Sequence, residues 1–258
     1  MRLNHEEEMN MKKRLAASSL LMTTALLLGT TSAFAATTSK GTSKATITFT
    51  TNIAPVIVDP ETPDPTKPYD PIGDGGNKPT GNTGPLTLDY APNFNFGSHE
   101  ALATNSAVYQ ALDKKPFLQV TDRRAIRSKW EVNVKLSVFK NAETLDPLDP
   151  VDPSDPLKLA DESLTGAKLS INNGIVKPVL GLIDVQAPTT QNIELTAGAT
   201  DGTTILSSAD GTFSTWLVYW PKALAQQEPR ISLNVPINTQ VKGTHTATLE
   251  WVLSDVVN

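Results

Sequence analysis

Cysteine is absent from the 258 residues. Thiol catalysis, thiolate metal sites and disulfide staples are therefore excluded, and a secreted fold built from this chain must be held by burial alone. Histidine is almost as scarce, with three in the chain; only His99 and His245 lie beyond the N-terminal segment, too few for a histidine-built zinc site. The H-E-x-x-H, G-x-S-x-G and phosphate-loop patterns are all missing. Hydrophobic residues make up 39% and aromatics 6%, which is lean for a compact enzyme of this length. Carboxylates are plentiful enough that counting does not exclude a glycosidase pair. Many of them sit in proline-rich stretches, where no rigid scaffold holds two in register. The expectation is a protein without enzyme activity, cofactor or metal. A clean 3.6-residue stripe is missing too. Only "ALATNSAVYQAL" (101–112) competes as a helix, and its Thr and Asn argue against it.

What is present begins with an export signal. "MKKRLAASSLLMTTALLLGTTSAFA" has a basic start at Lys12, Lys13 and Arg14, an apolar run over 15–28, and Ala33-Phe34-Ala35 as a small-x-small cleavage site. The run is short for a bilayer span. Residues 1–35 therefore read as a signal peptide with Met9 or Met11 as alternative starts, leaving a secreted chain with no stable membrane anchor after cleavage. Two stretches rich in proline and aspartate follow, at 55–84 and within about 141–162. Neither suits a helix or an inner strand. In the second, Asp146, Asp149, Asp152 and Asp155 recur every three residues. A polyproline II helix would align them as one stripe, open to a cation or a basic partner, or they form a solvated spacer.

Elsewhere the period is two. "WEVNVKLSVF" places Trp130, Val132, Val134, Leu136 and Val138 on one face, opposite Glu131, Asn133, Lys135 and Ser137. The last segment repeats this, with Ala247, Leu249, Trp251 and Leu253 opposite Thr246, Thr248, Glu250 and Val252. Shorter strands are expected at 45–50, 86–90, 117–121, 167–171, 191–195, 214–220 and 231–235. Turn signals separate them at Asn173-Gly174, Asp201-Gly202 and Asp210-Gly211. Many short strands with such turns predict an all-β domain, sandwich-like or an open barrel, carrying two Pro/Asp-rich insertions. The N-terminal strand in 36–54 would join this domain, 55–84 would be a linker or an excursion from it, and 85–258 would be its body.

The charge is unevenly spread. Residues 36–258 hold 18 basic and 24 acidic side chains. Removing 55–84 (two and five) and 141–162 (one and seven) leaves 15 basic against 12 acidic. The remaining part is thus mildly cationic, concentrated at Lys114, Lys115, Arg123, Arg124, Arg127 and Lys129. A basic loop beside the Trp130 strand suits an anionic wall polymer, or is an ordinary soluble surface. Nucleic acid is not an expected partner of an exported acidic chain without interleaved aromatic and basic residues.

Four blocks, "GPLTLDYAPNFNFGSHE" (84–100), "QVTDRRAIRSKWEVNVK" (119–135), "LTGAKLSINNG" (164–174) and "THTATLEWVLSDV" (244–256), resemble in order the WxL domain of surface proteins from low-GC Gram-positive bacteria. The resemblance implies non-covalent attachment to the cell wall through peptidoglycan or an associated wall polymer. It also implies companion surface proteins or host matrix as alternative partners, the chain then being one subunit of a surface complex. The distal motif is intact as Trp251, Val252 and Leu253. The proximal one departs, since Trp130, Glu131 and Val132 carry valine where leucine is the family's residue. In a strand, residues i and i+2 point the same way, so W-x-L is a paired apolar surface, either filling a core or exposed for a sugar ring or a partner's pocket. Trp216 and Trp220, four apart before Pro221, and the cations Arg123, Arg124, Arg127 and Lys129 are further candidate contacts.

Overall fold

A computed structural model describes residues 43–50, 55–102, 104–141, 162–179, 186–223 and 229–256. The Asp-Pro run at 145–158 lies outside them, as does the expected signal segment. The chain divides into two units, Met1–Thr48 and Phe49–Asn258. In the first, the described residues 43–48 are exposed and carry no strand. The strand expected over 45–50 is therefore not formed. Ile47 and Phe49 are 76% and 85% exposed, and β-propensity alone does not hold a strand that has no ladder neighbour.

The second unit is almost entirely β, as the alternation predicts. Its strands are β1 (Leu86–Tyr90), β2 (Ala107–Gln110), β3 (Phe117–Asp122), β4 (Trp130–Leu136), β5 (Phe139–Asn141), β6 (Glu162–Ser163), β7 (Lys168–Ile171) and β8 (Ile175–Pro178). They continue as β9 (Thr189–Thr190), β10 (Ile193–Thr196), β11 (Thr203–Ser207), β12 (Ser214–Tyr219), β13 (Ile231–Val235), β14 (His245–Thr246) and β15 (Leu249–Asp255). All pairings between them are antiparallel. The strands form four sheets, ordered β1-β3-β12-β8, β10-β7-β13-β2, β15-β4-β11-β9 and β14-β5-β6. Consecutive strands often change sheet. β3 and β4 do so, and so do β7 and β8 across Asn173-Gly174, and β11 and β12 across Asp210-Gly211. Those Gly turns are crossovers between layers rather than hairpins. None of the sheets closes into a barrel, so the architecture is sandwich-like.

The main core lies between inner faces. Leu118, Val120 and Val218 from the first sheet meet Trp130, Val132, Val134 and Leu136 of β4, with Leu169, Ile171, Ile231 and Leu233 from the second. β4 is buried at every second residue, the pattern of a strand with one face in the core. Its alternation stops at Leu136. Val138 is only partly buried, while Phe139 and Asn141 are buried in β5, so the side-chain parity shifts by one.

β3 is buried at all six positions, because the first sheet is covered on both faces. Residues 55–84 provide the second cover. Ile57 and Val58 join Tyr90, Phe117, Val179, Leu217 and Tyr219 in a smaller core. Polar groups fasten it. Buried Gln119 accepts from the Val58 N–H at 3.1 Å and donates to Val56 O and to Asp89 Oδ2, both at 2.9 Å. Burial pushes the Asp89 carboxyl above its ordinary value, against three hydrogen bonds from Thr121, Thr87 and Gln119 that pull it down. Lys115 binds Asp59 at 2.7 Å and Glu61 at 3.1 Å. The segment thus lies on the sheet as a tied excursion. The helix considered over 101–112 is also absent. Residues 107–110 form β2 on the edge of the second sheet, paired to β13, because backbone pairing outweighs the ambiguous local pattern.

Candidate functional site

The two motifs are neighbours in space. β4 and β15 pair over seven residues without a bulge, with Leu253 opposite Val132, Trp251 opposite Val134 and Asp255 opposite Trp130. Trp251 and Leu253 occupy non-hydrogen-bonded positions, where cross-strand side chains approach most closely. The shorter Val132 therefore stands against the leucine of the distal motif, and both side chains remain on the core side.

Their exposure differs sharply. Trp130 is 1% and Val132 0% exposed. Trp216 and Trp220 are 3% and 1% exposed. The Trp216 indole N–H donates to Phe213 O at 2.9 Å, whereas those of Trp130 and Trp220 are buried with no hydrogen-bond partner among the described residues. Trp220 packs against Gly174, where an added Cβ would stand 2.8 Å from Nε1. These three tryptophans fill the interior. Trp251 and Leu253 are half-buried against the main core, and Val252 on the opposite face is 44% exposed. Glu131 is half-buried and accepts from Asn133 Nδ2 at 2.8 Å. His245 is half-buried and hydrogen-bonded to Ser163 Oγ at 2.8 Å and Val241 O at 2.9 Å.

The cations gather in the loop between β3 and β4. Arg124 is committed to structure. It binds the buried Asp122 at 2.8 Å and Asp255 of β15 at 2.6 Å, and donates to Ser128 O at 2.7 Å. Ser128 Oγ also donates to Asp255 at 2.7 Å. The Arg124 and Ser128 donors hold the Asp255 carboxyl below its ordinary value. The loop is thereby locked to the end of the motif strand. Lys129 lies 3.6 Å from Asp210. Arg127 is exposed and stacks over the Phe213 ring at 3.7 Å. Neither Arg123 nor Arg127 makes an ion pair among the described residues. Between them Ile126 is 83% exposed. The result is a basic corner: two guanidinium groups without an ion pair among the described residues, around an aliphatic tip, braced by the motif strand. Sequence reading located the cations but not their brace. Asp255 lies 131 residues from Arg124, and nothing local marks it as a partner. Phe213 likewise carries no local signal.

Among the described residues, no group of three or more His, Asp or Glu side chains is placed to hold a metal ion, and no helix is long and apolar enough to cross a membrane. The described residues thus present an exposed cationic loop, braced to the last strand of an antiparallel β scaffold. A family model described as "WxL domain surface cell wall-binding" matches residues 36–256. The chain belongs to the WxL family and is a surface protein with a cell-wall-binding domain. Comparison with curated proteins and with solved structures gave no match.

Proposed function

We propose that the protein attaches non-covalently to peptidoglycan or an associated anionic wall polymer, and that the basic corner makes the contact. The W-x-L pairs act behind it as architecture. Trp130 and Val132 close the core, while Trp251 and Leu253 pin the last strand to β4. Asp255 at the end of that strand then fixes the loop through Arg124. The observation that carries this reading is the pair of exposed, ion-pair-free cations, Arg123 and Arg127, on a loop that the motif strand holds in place. Guanidinium groups suit carboxylate and phosphate oxygens, which they bind through paired donors. The exposed Ile126 side chain offers apolar area beside them. Such contacts at a surface weaken as salt rises.

Purified wall sacculi provide the test. The mature chain is expected to sediment with sacculi, to be released by added salt, and to lose most of its retention when Arg123→Glu and Arg127→Glu are combined. Retention no greater than that of an inert secreted β protein would remove the reading. Retention unchanged in the double variant would move the contact away from this corner.

A further inference from the structure

β15 is an edge strand. β4 lies on one side of it, and no described strand lies on the other. Flanking hydrogen bonds fix the parity of its ladder: Ser137 N–H donates to Thr248 O, and Val256 N–H donates to Lys129 O, both at 2.9 Å. Even-numbered residues therefore turn their backbone groups toward β4. The N–H and C=O of Leu249, Trp251, Leu253 and Asp255 point outward, and none of them is hydrogen-bonded among the described residues.

Proteins normally blunt such edges with short strands, bulges, lysine or proline, and the other edges here follow that rule. β1 has an irregular register between Leu88 and Tyr90 and is overlaid by Thr80, whose N–H donates to Asp89 O at 2.9 Å. β8 ends in Lys177-Pro178, and β9 has two residues. β2 and β10 have four residues each. β15 has seven, with regular pairing and neither proline nor lysine. Trp251 and Leu253 are only partly buried at this same edge.

The strand is also complementary to itself. A two-fold axis at Val252 opposes odd residues to odd residues, the parity that the outward backbone groups require. Trp251 then faces the partner's Leu253, and Leu253 the partner's Trp251. Val252 faces its own copy, Glu250 faces the partner's Ser254, and Asp255 faces the partner's Leu249. No carboxylate meets a carboxylate. We propose that two copies join edge to edge through an antiparallel β15–β15 pair centred on Val252, making one continuous sheet from two four-stranded ones. The partly exposed indole and isobutyl groups cover each other across the seam. The two basic corners fall at opposite ends of the paired strands, about 20 Å apart for seven residues. Each particle thus carries two sites, so a repeating polymer is held by avidity.

The chain lacks cysteine, so one introduced thiol reports one position. Val252→Cys places it at a non-hydrogen-bonded pair with Cα atoms about 4.5 Å apart, close enough for a disulfide. Under mild oxidation this variant is expected to give a covalent dimer on a non-reducing gel at least tenfold faster than Glu250→Cys, whose own copies lie farther apart in this register. In sedimentation velocity, the unaltered mature chain is expected to form dimers as its concentration rises through the micromolar range. Val252→Lys, on the exposed face, is expected to weaken that association at least tenfold with an unchanged circular dichroism spectrum and melting curve. A single monomeric species throughout would overturn the proposal, and the edge would then be free for a different protein. Equal cross-linking of the two cysteine variants would also overturn it, as would association that survives Val252→Lys or disappears only when residues 43–50 are deleted.

Discussion

Replacing Trp251 by alanine separates architecture from contact. Complete truncation of a buried tryptophan costs about 3–5 kcal/mol, combining lost transfer energy with an unfilled cavity. Trp130, 1% exposed in the centre of its sheet, should lie in that range. Trp251 is only partly buried, on an edge strand, so part of its surface is already in water and its loss should cost less, about 2 kcal/mol. For a domain of this size that corresponds to a fall in melting temperature of about 4–8 °C. Urea titration of the mature chain, read at constant m-value, would measure the cost. Sacculus retention is then compared at a temperature where both proteins are folded. If the motif tryptophan serves as architecture, the folded variant, compared with the parent at concentrations where both are monomeric, keeps its wall affinity to within about twofold and the deficit appears in stability. A variant as stable as the parent that no longer binds would refute this reasoning, because the indole would then be gripping the ligand. So would a Trp130→Ala change milder than Trp251→Ala.

Gly174→Ala sets a Cβ 2.6 Å from Val218 Cγ1 and 2.8 Å from Trp220 Nε1; overpacking a buried layer in this way should cost about 1–3 kcal/mol, and an unchanged melting curve would mean that the β7–β8 crossover and the indole can move apart. Asp255→Asn tests the brace. Arg124 and Ser128 lower the folded-state pKa of Asp255 beneath its ordinary value, so its contribution is fully present above the ordinary carboxylate pKa and lost as pH falls through the folded pKa. The variant should therefore melt lower than the parent at neutral pH, and the two curves should converge in acid; a gap that persists well below the ordinary carboxylate range would show that the carboxylate charge is not what holds the loop.

The pairing of the motifs changes what a W-x-L tripeptide means in this protein. Each copy is a two-residue apolar step on its own strand, and the two steps lie side by side. A shortened side chain in one copy, Val132, is covered by the leucine of the other. The departure from the family pattern therefore falls where its neighbour can still pack, and β4 remains buried at alternate positions along its length.

Chain order alone was enough for the class of fold and for the faces of its two most regular strands. Period-two patterning is local, so the residues over 130–138 and 246–253 could be assigned to faces before any pairing was known, with the alternation failing only at Val138. The bounds of 86–90 and 231–235 were likewise legible as short strands. Folding in three dimensions settled the rest, since periodicity says which side chains share a face and nothing about which strand lies alongside. The pairing of the two motifs, the bond from Gln119 to Val58 across 61 residues and the Arg124–Asp255 brace all join distant segments. So does the cover that 55–84 lays over β3, which is why that strand reads as a continuous run rather than an alternation. The open side of β15 is of the same kind: whether an outward N–H has a partner depends on the sheet around it, and no residue in the strand encodes that alone.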